Sequence, residues 1–242
     1  MIVKDEEDNI ERCLRAVSWA DEVVVVDSGS VDRTLEICER FDCRIVKTAW
    51  LGFGKTQKLS VDSASNDWVL SIGADEEVTE SLKETVLGIL ESPQYNGYMI
   101  KRNSFYLGRM IRYCGWNRDY PLRLFDRRYG NYNDSIIHEK VIVDGEKGRI
   151  NEPLLHYTYP DLASHIERIN SYTMLGAKKA FDRGKRSNPC CAMIRGFLKF
   201  IKMYLIQLGI LDGIYGLLLS VNSGYGVYLK YIKLWELHKK KE

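Results

Sequence analysis

The fold is decided by the stretch Asp67-Trp68-Val69-Leu70-Ser71-Ile72-Gly73-Ala74-Asp75-Glu76-Glu77. Its first half is a short run of large apolar and β-branched residues, which predicts a buried strand of a mostly parallel sheet. The strand ends at Gly73, and three carboxylates follow at residues 75–77. Ligands of open α/β sheets bind outside the carboxyl ends of the strands, where carboxylates can hold a divalent cation. The alternative is a surface turn into a helix whose N-terminus favours acidic residues.

A β-α-β-α-β series precedes this stretch. Residues 22–27 contain four consecutive valines, which predicts a strand buried on both faces. The polar turn Asp27-Ser28-Gly29-Ser30 follows, and we expect Ser30 to cap the next helix. Residues 1–3 look like the end of a clipped strand, and residues 44–46 form a third. The series is typical of a nucleotide-binding α/β half.

Basic residues lie in two segments around this core. Ala49 to Lys58 contains glycines and two lysines without P-loop spacing, so its lysines either face a diphosphate or are solvated. Residues 103–130 mix aromatic rings with six arginines, which suits phosphates, sugars or nucleic acid. The net charge of +2 disfavours nucleic acid as a partner. Asp119 lies among these cations, where a carboxylate stays ionised.

Bulk composition is that of an ordinary globular protein. The chain has 242 residues, of which 45% are hydrophobic and 28% charged, so it carries no signature of disorder. Its six cysteines include no C-x-x-C pair or zinc spacing, which fits a reduced, cytosolic setting. No secretory signal is visible at the N-terminus.

The C-terminal part is predicted to be helical. Helices are expected over residues 161–181 and 195–211, and residues 213–229 carry no charge. That uncharged segment is shorter than the ~20 residues of a spanning helix, and Asn222 and Ser223 interrupt it. A buried helix pair is the default interpretation, an interfacial membrane anchor the second and a spanning helix the third. The anchor is favoured by flanking basic residues, namely Arg195, Lys199, Lys202, Lys230, Lys233 and residues 239–241.

Several motifs together resemble the family 2 glycosyltransferases, which have the GT-A fold. They are Asp5-Glu6-Glu7-x-x-Ile10, Trp19-Ala20-Asp21-Glu22, Asp27-Ser28-Gly29-Ser30-x-Asp32-Arg33-Thr34 and Ala74-Asp75-Glu76. Later segments resemble the lipopolysaccharide-core β-1,4-glucosyltransferase subgroup, which adds glucose to inner-core heptose. These segments are Leu122-Arg123-Leu124-Phe125, His138-Glu139, Leu154-Leu155-His156-Tyr157 and Lys230-Tyr231-Ile232-Lys233-Leu234-Trp235.

The resemblance implies an α/β architecture. A Rossmann-like nucleotide-binding sheet with helices on both faces would occupy a GT-A domain over residues 1–160. A C-terminal helical region would occupy residues 161–242, and contact with the membrane interface is one expectation for this region. The expected location is cytoplasmic, at the inner face of the plasma membrane.

The resemblance also implies roles for individual residues. Those expected to bind the nucleotide sugar are Asp5, Glu6, Asp27, Ser28, Ser30, Lys58 and Ala74. Asp75 matches the last acidic residue of the family's D-x-D motif, which coordinates Mg²⁺ or Mn²⁺ on the nucleotide diphosphate. His156 is the second candidate metal ligand. The favoured alternative is that His156 is a strand-end histidine whose hydrogen bonds are satisfied within the protein. Asp119 is the first choice of general base and Glu139 the second.

The predicted function is inverting transfer of a sugar, glucose from UDP-glucose, to a lipopolysaccharide-core or related glycan or glycolipid acceptor. One departure bears on it: Gly73 stands where the family usually has the first aspartate of D-x-D. The alternative is therefore a nucleotide-sugar-binding family member with weak or no catalysis. A third hypothesis is a membrane-associated scaffold built on residues 195–241.

Overall fold

The computed structural model describes residues 1–133 and 139–240. Predicted features at His138 and at the last two residues lie outside this range. The chain forms two compact units, one of residues 1–102 and 119–156 and the other of residues 103–118 and 157 onward. These bounds differ from the expected boundary at residue 160 because residues 103–118 join the C-terminal unit. Two backbone bonds explain this: Leu107 N donates to Tyr159 O (2.9 Å) and Cys114 N donates to Gln207 O (3.0 Å).

The described elements follow in chain order. The strands are β1 (Ile2–Val3), β2 (Val24–Asp27), β3 (Arg44–Lys47), β4 (Trp68–Leu70), β5 (Glu76–Val78), β6 (Gly97–Tyr106), β7 (Arg109–Met110), β8 (Leu122–Asp126), β9 (Gly130–Tyr132), β10 (Val141–Val143) and β11 (Gly148–Tyr159). The α-helices are α1 (Ile10–Ala16), α2 (Thr34–Arg40), α3 (Phe53–Asp62), α4 (Glu80–Glu91), α5 (Leu162–Asp182), α6 (Pro189–Ile201) and α7 (Gly213–Lys239). A π-helical segment, Lys202–Ile206, continues α6, and 3₁₀ helices occupy Trp116–Arg118 and Gly209–Asp212.

A small parallel sheet with the order β1-β2-β3 forms the first layer of the N-terminal unit. All four residues of β2 are buried, which confirms the prediction from its valine run. Helices α1 and α2 cover the sheet, with Ile10 and Ile37 packing in one apolar cluster with Val3 and Val25. The parallel arrangement brings the loops that follow β1 and β2 to the same edge of the sheet.

The larger sheet has the order β4-β8-β6-β11-β5, with β7 paired to β6. Strand β4 pairs antiparallel with β8, and β5 pairs antiparallel with β11. The prediction that β4 lies in a mostly parallel sheet is therefore wrong. The cause is physical, because a short apolar run suits burial in either kind of sheet and its sequence does not name the partner strand.

Two predicted helix starts are corrected. Helix α3 begins at Phe53, so Lys58 lies on a helix and not in the preceding glycine-containing loop. Helix α2 begins at Thr34, its N-cap residue Arg33 makes no side-chain capping bond, and Thr34 N donates to Asp32 Oδ1 (3.0 Å). Ser30 is too far upstream to act as its cap, and its hydroxyl is bound elsewhere in the turn, as described below.

The C-terminal unit is built on α7, against which α5 and α6 pack. Helix α7 runs unbroken for 27 residues through Asn222 and Ser223, which interrupt the apolar character of the segment and not the helix. Asn222 is accommodated because its amide donates to Tyr106 Oη (3.1 Å). Lys233 is also buried, and its ammonium donates to Asn170 Oδ1 (2.7 Å), so it does not belong to an exposed basic flank.

Within the described residues, no single helix has both the length and the apolar composition needed to cross a bilayer. The segments 189–206 and 209–239 satisfy these criteria only as a pair, and they meet at a 72° bend. The predicted helix over residues 195–211 accordingly ends earlier, at the break around Leu208, whose φ of +56° is left-handed.

Candidate functional site

Two loops meet at the carboxyl ends of β1 and β2, and each satisfies polar groups of the other. Asp5 N donates to Ser30 Oγ (3.0 Å), and Asp5 Oδ1 accepts from Val31 N (2.8 Å). Glu6 N donates to Thr34 Oγ1 (2.8 Å). Because these bonds cross between the loops, the predicted nucleotide-binding residues Asp5, Glu6 and Ser30 form one braced rim at the sheet edge.

Asp27 shapes the second of these loops. It is only 3% exposed, and its carboxylate accepts from Gly29 N (3.1 Å), Ser30 N (3.0 Å) and Ser30 Oγ (2.5 Å). Ser28 Oγ donates in turn to Val3 O (3.2 Å). Gly29 has a φ of +100°, which favours glycine at this position. Asp27, Ser28 and Ser30 therefore hold the turn, and a direct contact with a nucleotide stays a prediction.

Helix α3 packs against β1 and β2 and carries Lys58 on its second turn, half-buried. The neighbouring Gln57 is buried, and its Oε1 has no hydrogen-bond partner within the described part of the chain. An unsatisfied buried acceptor costs about 1–3 kcal/mol, so we expect a ligand or an ordered water to meet it. The sequence did not single out Gln57, because nothing in a helical pattern shows that an amide lacks a partner.

Asp75 lies in the tight turn between β4 and β5. Glu76 N donates to Gly73 O (3.1 Å), and Gly73 N donates to Glu76 Oε2 (2.8 Å). Ala74 packs in the same apolar cluster as Val3 and Val25, which precede the two braced loops. The turn and the loops therefore lie at one edge of the N-terminal unit. Since the Ala74 side chain faces this core, only its backbone is left for contact with a ligand.

His156 is held beside Asp75 by strand pairing. Strand β11 places His156 opposite Glu76 on β5, the residue after Asp75. The His156 Nε2 atom lies 3.2 Å from Asp75 Oδ2, and both side chains are largely buried. The structure thus brings together the two residues that were predicted as metal ligands, although they are 81 positions apart in the sequence.

A buried ion-pair network is centred on Glu76, the residue that follows Asp75. Glu76 is 1% exposed, and its Oε1 accepts from Arg102 Nη1 (3.1 Å) and Arg123 Nη2 (2.6 Å). Burial lowers the pKa of Arg123, but the combined effect of Glu76, Tyr132 and Asp75 raises that pKa above its ordinary value. This network is not apparent from the sequence, because the partners are 26 and 47 residues away from Glu76.

The two candidate bases are placed differently. Asp119 belongs to the network, because its Oδ2 accepts from Arg102 Nε (2.7 Å), and its side chain remains 38% exposed. Arg102 therefore links Asp119 to Glu76, next to Asp75. Glu139 is half-buried immediately before β10, and the described contacts of this network do not include it. The choice between the two bases remains a prediction.

The donor set suits a cation that is shared with a ligand. Asp75 and His156 bring one carboxylate and one imidazole into contact, and the Glu76 carboxylate beside them accepts from two arginines and from Gly73 N. Among the described residues, no group of three or more His, Cys, Asp and Glu could hold a metal ion. Mg²⁺ is usually bound by one or two carboxylates together with substrate phosphates, and Mn²⁺ likewise prefers oxygen ligands, so Asp75 is the side chain of the pair that suits either ion best. The residues present fit such a shared cation and do not form a complete cage.

A cavity of about 220 Å³ lies elsewhere in the N-terminal unit. Its walls include Trp19, Val24, Trp68, Leu70 and Val86, and none of the predicted site residues lines it. We therefore do not assign the ligand site to this cavity, since the convergent polar groups that such a site requires are found at the Asp75 turn.

Comparisons with known proteins agree with the sequence motifs. The model of the family described as Glycosyl transferase family 2 matches residues 1–195. An uncharacterized glycosyltransferase of Rickettsia bellii is 28% identical, and the alignment covers 98% of this chain and 85% of the relative. The lipopolysaccharide core biosynthesis glycosyltransferase LpsC of Rhizobium meliloti is 24% identical, with coverages of 98% and 91%. A crystal structure of S. aureus TarS 1-349 in complex with UDP aligns with a TM-score of 0.48 and 15% identity, over 100% of this chain and 90% of that one.

Proposed function

The chain belongs to glycosyl transferase family 2 and is a glycosyltransferase with the GT-A fold, and from this premise we propose its substrates and the roles of its residues. The proposed donor is UDP-glucose. The proposed acceptor is a lipopolysaccharide-core sugar or a related glycan or glycolipid. A lipopolysaccharide-related role is supported by the similarity to LpsC, whose name states that activity for the relative.

One observation carries the proposal: Asp75 and His156 converge at a strand end next to the two braced loops. Two largely exposed loops at the carboxyl ends of parallel strands are suited to a nucleoside, and a carboxylate-imidazole pair beside them is suited to the diphosphate end of the same ligand. Lys58 on α3 is the proposed cation for the diphosphate. These assignments make a single elongated ligand the simplest occupant of the edge.

The negative charge that develops on the leaving diphosphate contributes most to the activation barrier that such a site must lower. Asp75 and His156 would hold Mg²⁺ or Mn²⁺, which when bound neutralises that charge. The chain's own residues do the rest: the loops orient the nucleoside, and Asp119 takes the proton from the acceptor hydroxyl. Attack from the face opposite the diphosphate inverts the anomeric centre. Glu139 is the second choice for the base.

A transfer assay tests the function. Purified protein is screened against nucleotide sugars by thermal shift with and without Mn²⁺, and each stabilising donor is then offered with lipopolysaccharide-core oligosaccharides. We expect UDP-glucose to raise the melting temperature in the presence of Mn²⁺ and to be consumed only when an acceptor is present. Binding without turnover on any acceptor would instead support the non-catalytic alternative suggested by Gly73.

Replacing Asp119 with asparagine should separate binding from chemistry. Asparagine keeps an acceptor for Arg102 but cannot take a proton, so donor binding should persist while turnover falls about 10²-fold or more. Steady-state kinetics and donor titration measure the two effects. Glu139→Gln is the matched comparison, and it should leave turnover within a few-fold. If the two variants exchange these behaviours, the base is Glu139.

Restoring the missing carboxylate should strengthen metal binding. A Cβ at Gly73 would lie 2.6 Å from Asp75 Oδ1, so the short Asp75 side chain must shift slightly, but the new carboxylate would point toward the same cation. We expect Gly73→Asp to tighten Mn²⁺ binding severalfold, as measured by calorimetry in the presence of UDP. Gly73→Ala, which makes the same steric demand without a carboxylate, is the control. Equal affinities in both variants would mean that the site does not use this position.

A further inference from the structure

Helix α6 is packed with its small residues inward and its large apolar residues outward. Ala192 is fully buried and Gly196 is buried too, whereas Met193, Ile194 and Phe197 are exposed by 64%, 59% and 63%. The inward residues are small because α6 crosses α7 closely at this point. A Cβ on Gly196 would lie only 2.9 Å from Gly224 O. A surface helix of a water-soluble globular protein shows the opposite arrangement, with its large apolar side chains facing the core.

The exposed apolar side continues beyond α6. Ten large apolar side chains between Met193 and Ile214 are each 48–73% exposed, and the largest value belongs to Ile206. On α6, residues 193 and 197 and residues 194 and 198 are spaced four apart, so they form one continuous stripe. We call these ten residues the 193–214 face. A surface with so many exposed apolar side chains is unusual for a monomer in water and marks an interaction site.

The chain segment that carries this face exposes charges of one sign. From residue 183 to residue 235, the described chain contains a single acidic residue, Asp212, which is buried and accepts from Arg112 N (3.1 Å) and Tyr113 N (2.9 Å). Exposed basic residues flank the apolar stripe, among them Lys185, Arg186 and Lys202. An apolar stripe on a segment whose exposed charged residues, between 183 and 235, are all basic complements a surface with an apolar interior and an anionic rim.

We propose that the 193–214 face docks onto the surface of an anionic phospholipid bilayer, with its apolar side chains at the boundary between headgroups and acyl chains. The basic residues beside it contact the lipid phosphates. The charge pattern favours this occupant over a second copy of the chain, because two copies would bring like charges together. The proposal concerns only the C-terminal unit and is independent of the sugar donor.

The geometry indicates a helix that lies on the membrane. Helix α6 and the π-helical segment that continues it span residues 189–206, about 27 Å at the rise of an α-helix, which is still short of the ~30 Å hydrocarbon core. A 72° bend separates segments 189–206 and 209–239, so the exposed residues on both sides of the bend can enter one leaflet while the basic residues stay at its surface.

Vesicle flotation of the full-length protein tests the proposal. The probes are phosphatidylcholine vesicles with and without phosphatidylglycerol. We expect the protein to float with the anionic vesicles and to bind the neutral ones at least about tenfold more weakly, with the difference shrinking at high salt. The double variant Ile194→Ser/Phe197→Ser should lower the partition coefficient for anionic vesicles by at least about tenfold.

A matched control removes an equally exposed residue from the other unit. Ile142 on β10 is 59% exposed, as Ile194 is, and Ile142→Ser should float like the wild type. Thermal unfolding checks that the double variant is folded. Flotation of the folded double variant at the wild-type level would overturn the proposal. A second result would also overturn it: the wild type does not float with the vesicles, and sedimentation shows a concentration-dependent dimer that the double variant does not form. The face would then be a contact between two copies of the chain.

Discussion

The Asp75→Ala variant is expected to lose Mn²⁺-dependent UDP binding and nearly all transfer activity. Asp75 supplies the carboxylate of the Asp75–His156 pair, and the neighbouring Glu76 cannot replace it because two arginines bind its Oε1 and Gly73 N donates to its Oε2. A metal ion contributes several kcal/mol to stabilisation of developing charge, so transfer should fall at least about 10³-fold. Calorimetry with UDP, with and without Mn²⁺, measures the binding part directly.

A nearby carboxylate provides the control for this prediction. Glu77 is two residues further on and forms a partly exposed ion pair with Arg12 at 3.8 Å. Glu77→Gln should leave both UDP binding and transfer close to wild type. Unchanged Mn²⁺-dependent binding in Asp75→Ala, or an equal loss in Glu77→Gln, would remove Asp75 from the proposed metal site.

The Glu76→Gln variant should lose stability more than any other single change considered. Glu76 is the buried counter-charge of Arg102 and Arg123, and removal of one partner from a buried ion pair usually costs about 3–5 kcal/mol. Glutamine keeps the size of the side chain but removes the carboxylate that pairs with Arg123 and leaves Arg102 with Asp119 as its counter-charge. Urea unfolding at neutral pH measures the change in the free energy of unfolding.

A surface ion pair gives the comparison. Glu80 is 72% exposed and pairs with Lys83 on the same helix, so Glu80→Gln should change the free energy of unfolding by less than about 1 kcal/mol. The interpretation of the network would be contradicted if Glu76→Gln cost no more than this surface change. A structural role for Glu76 also explains why only Asp75, of the two adjacent carboxylates, is proposed as a ligand.

The elements that could be predicted from sequence were those with a strong local signal. The valine run of β2 requires burial whatever surrounds it, and the family motifs locate the turn at Asp75. Strand direction could not be predicted, because the pairing of β4 with β8 depends on a segment that lies about fifty residues away. The local sequence pattern therefore predicts that a strand forms, whereas its partner strand and direction are determined by tertiary pairing.

The candidate site divides in the same way. Asp75 and His156 were selected from motifs, and the β5–β11 pairing brings them to 3.2 Å. The ion pairs of Glu76 were missed because an acidic residue after a strand looks the same whether it is exposed or buried. Only the fold places two arginines around it and excludes water.

The helical part shows where counting charges misleads. Lys233 looked like one of several flanking cations, yet its ammonium is buried between Asn170 and Thr173 on α5. A lysine at a buried position of a helix is indistinguishable by sequence from one that faces solvent. The exposed apolar stripe of α6 was likewise hidden, because its residues would serve equally well in a core.

The central claim is that Asp75 holds the cation on the diphosphate of a nucleotide sugar. The most direct measurement is the anomalous difference map of crystals soaked with UDP and Mn²⁺. The account predicts a manganese peak within about 2.5 Å of an Asp75 carboxylate oxygen, in contact with the UDP diphosphate. A peak at another site, or UDP bound with the Asp75 carboxylate turned away from it, would contradict the account.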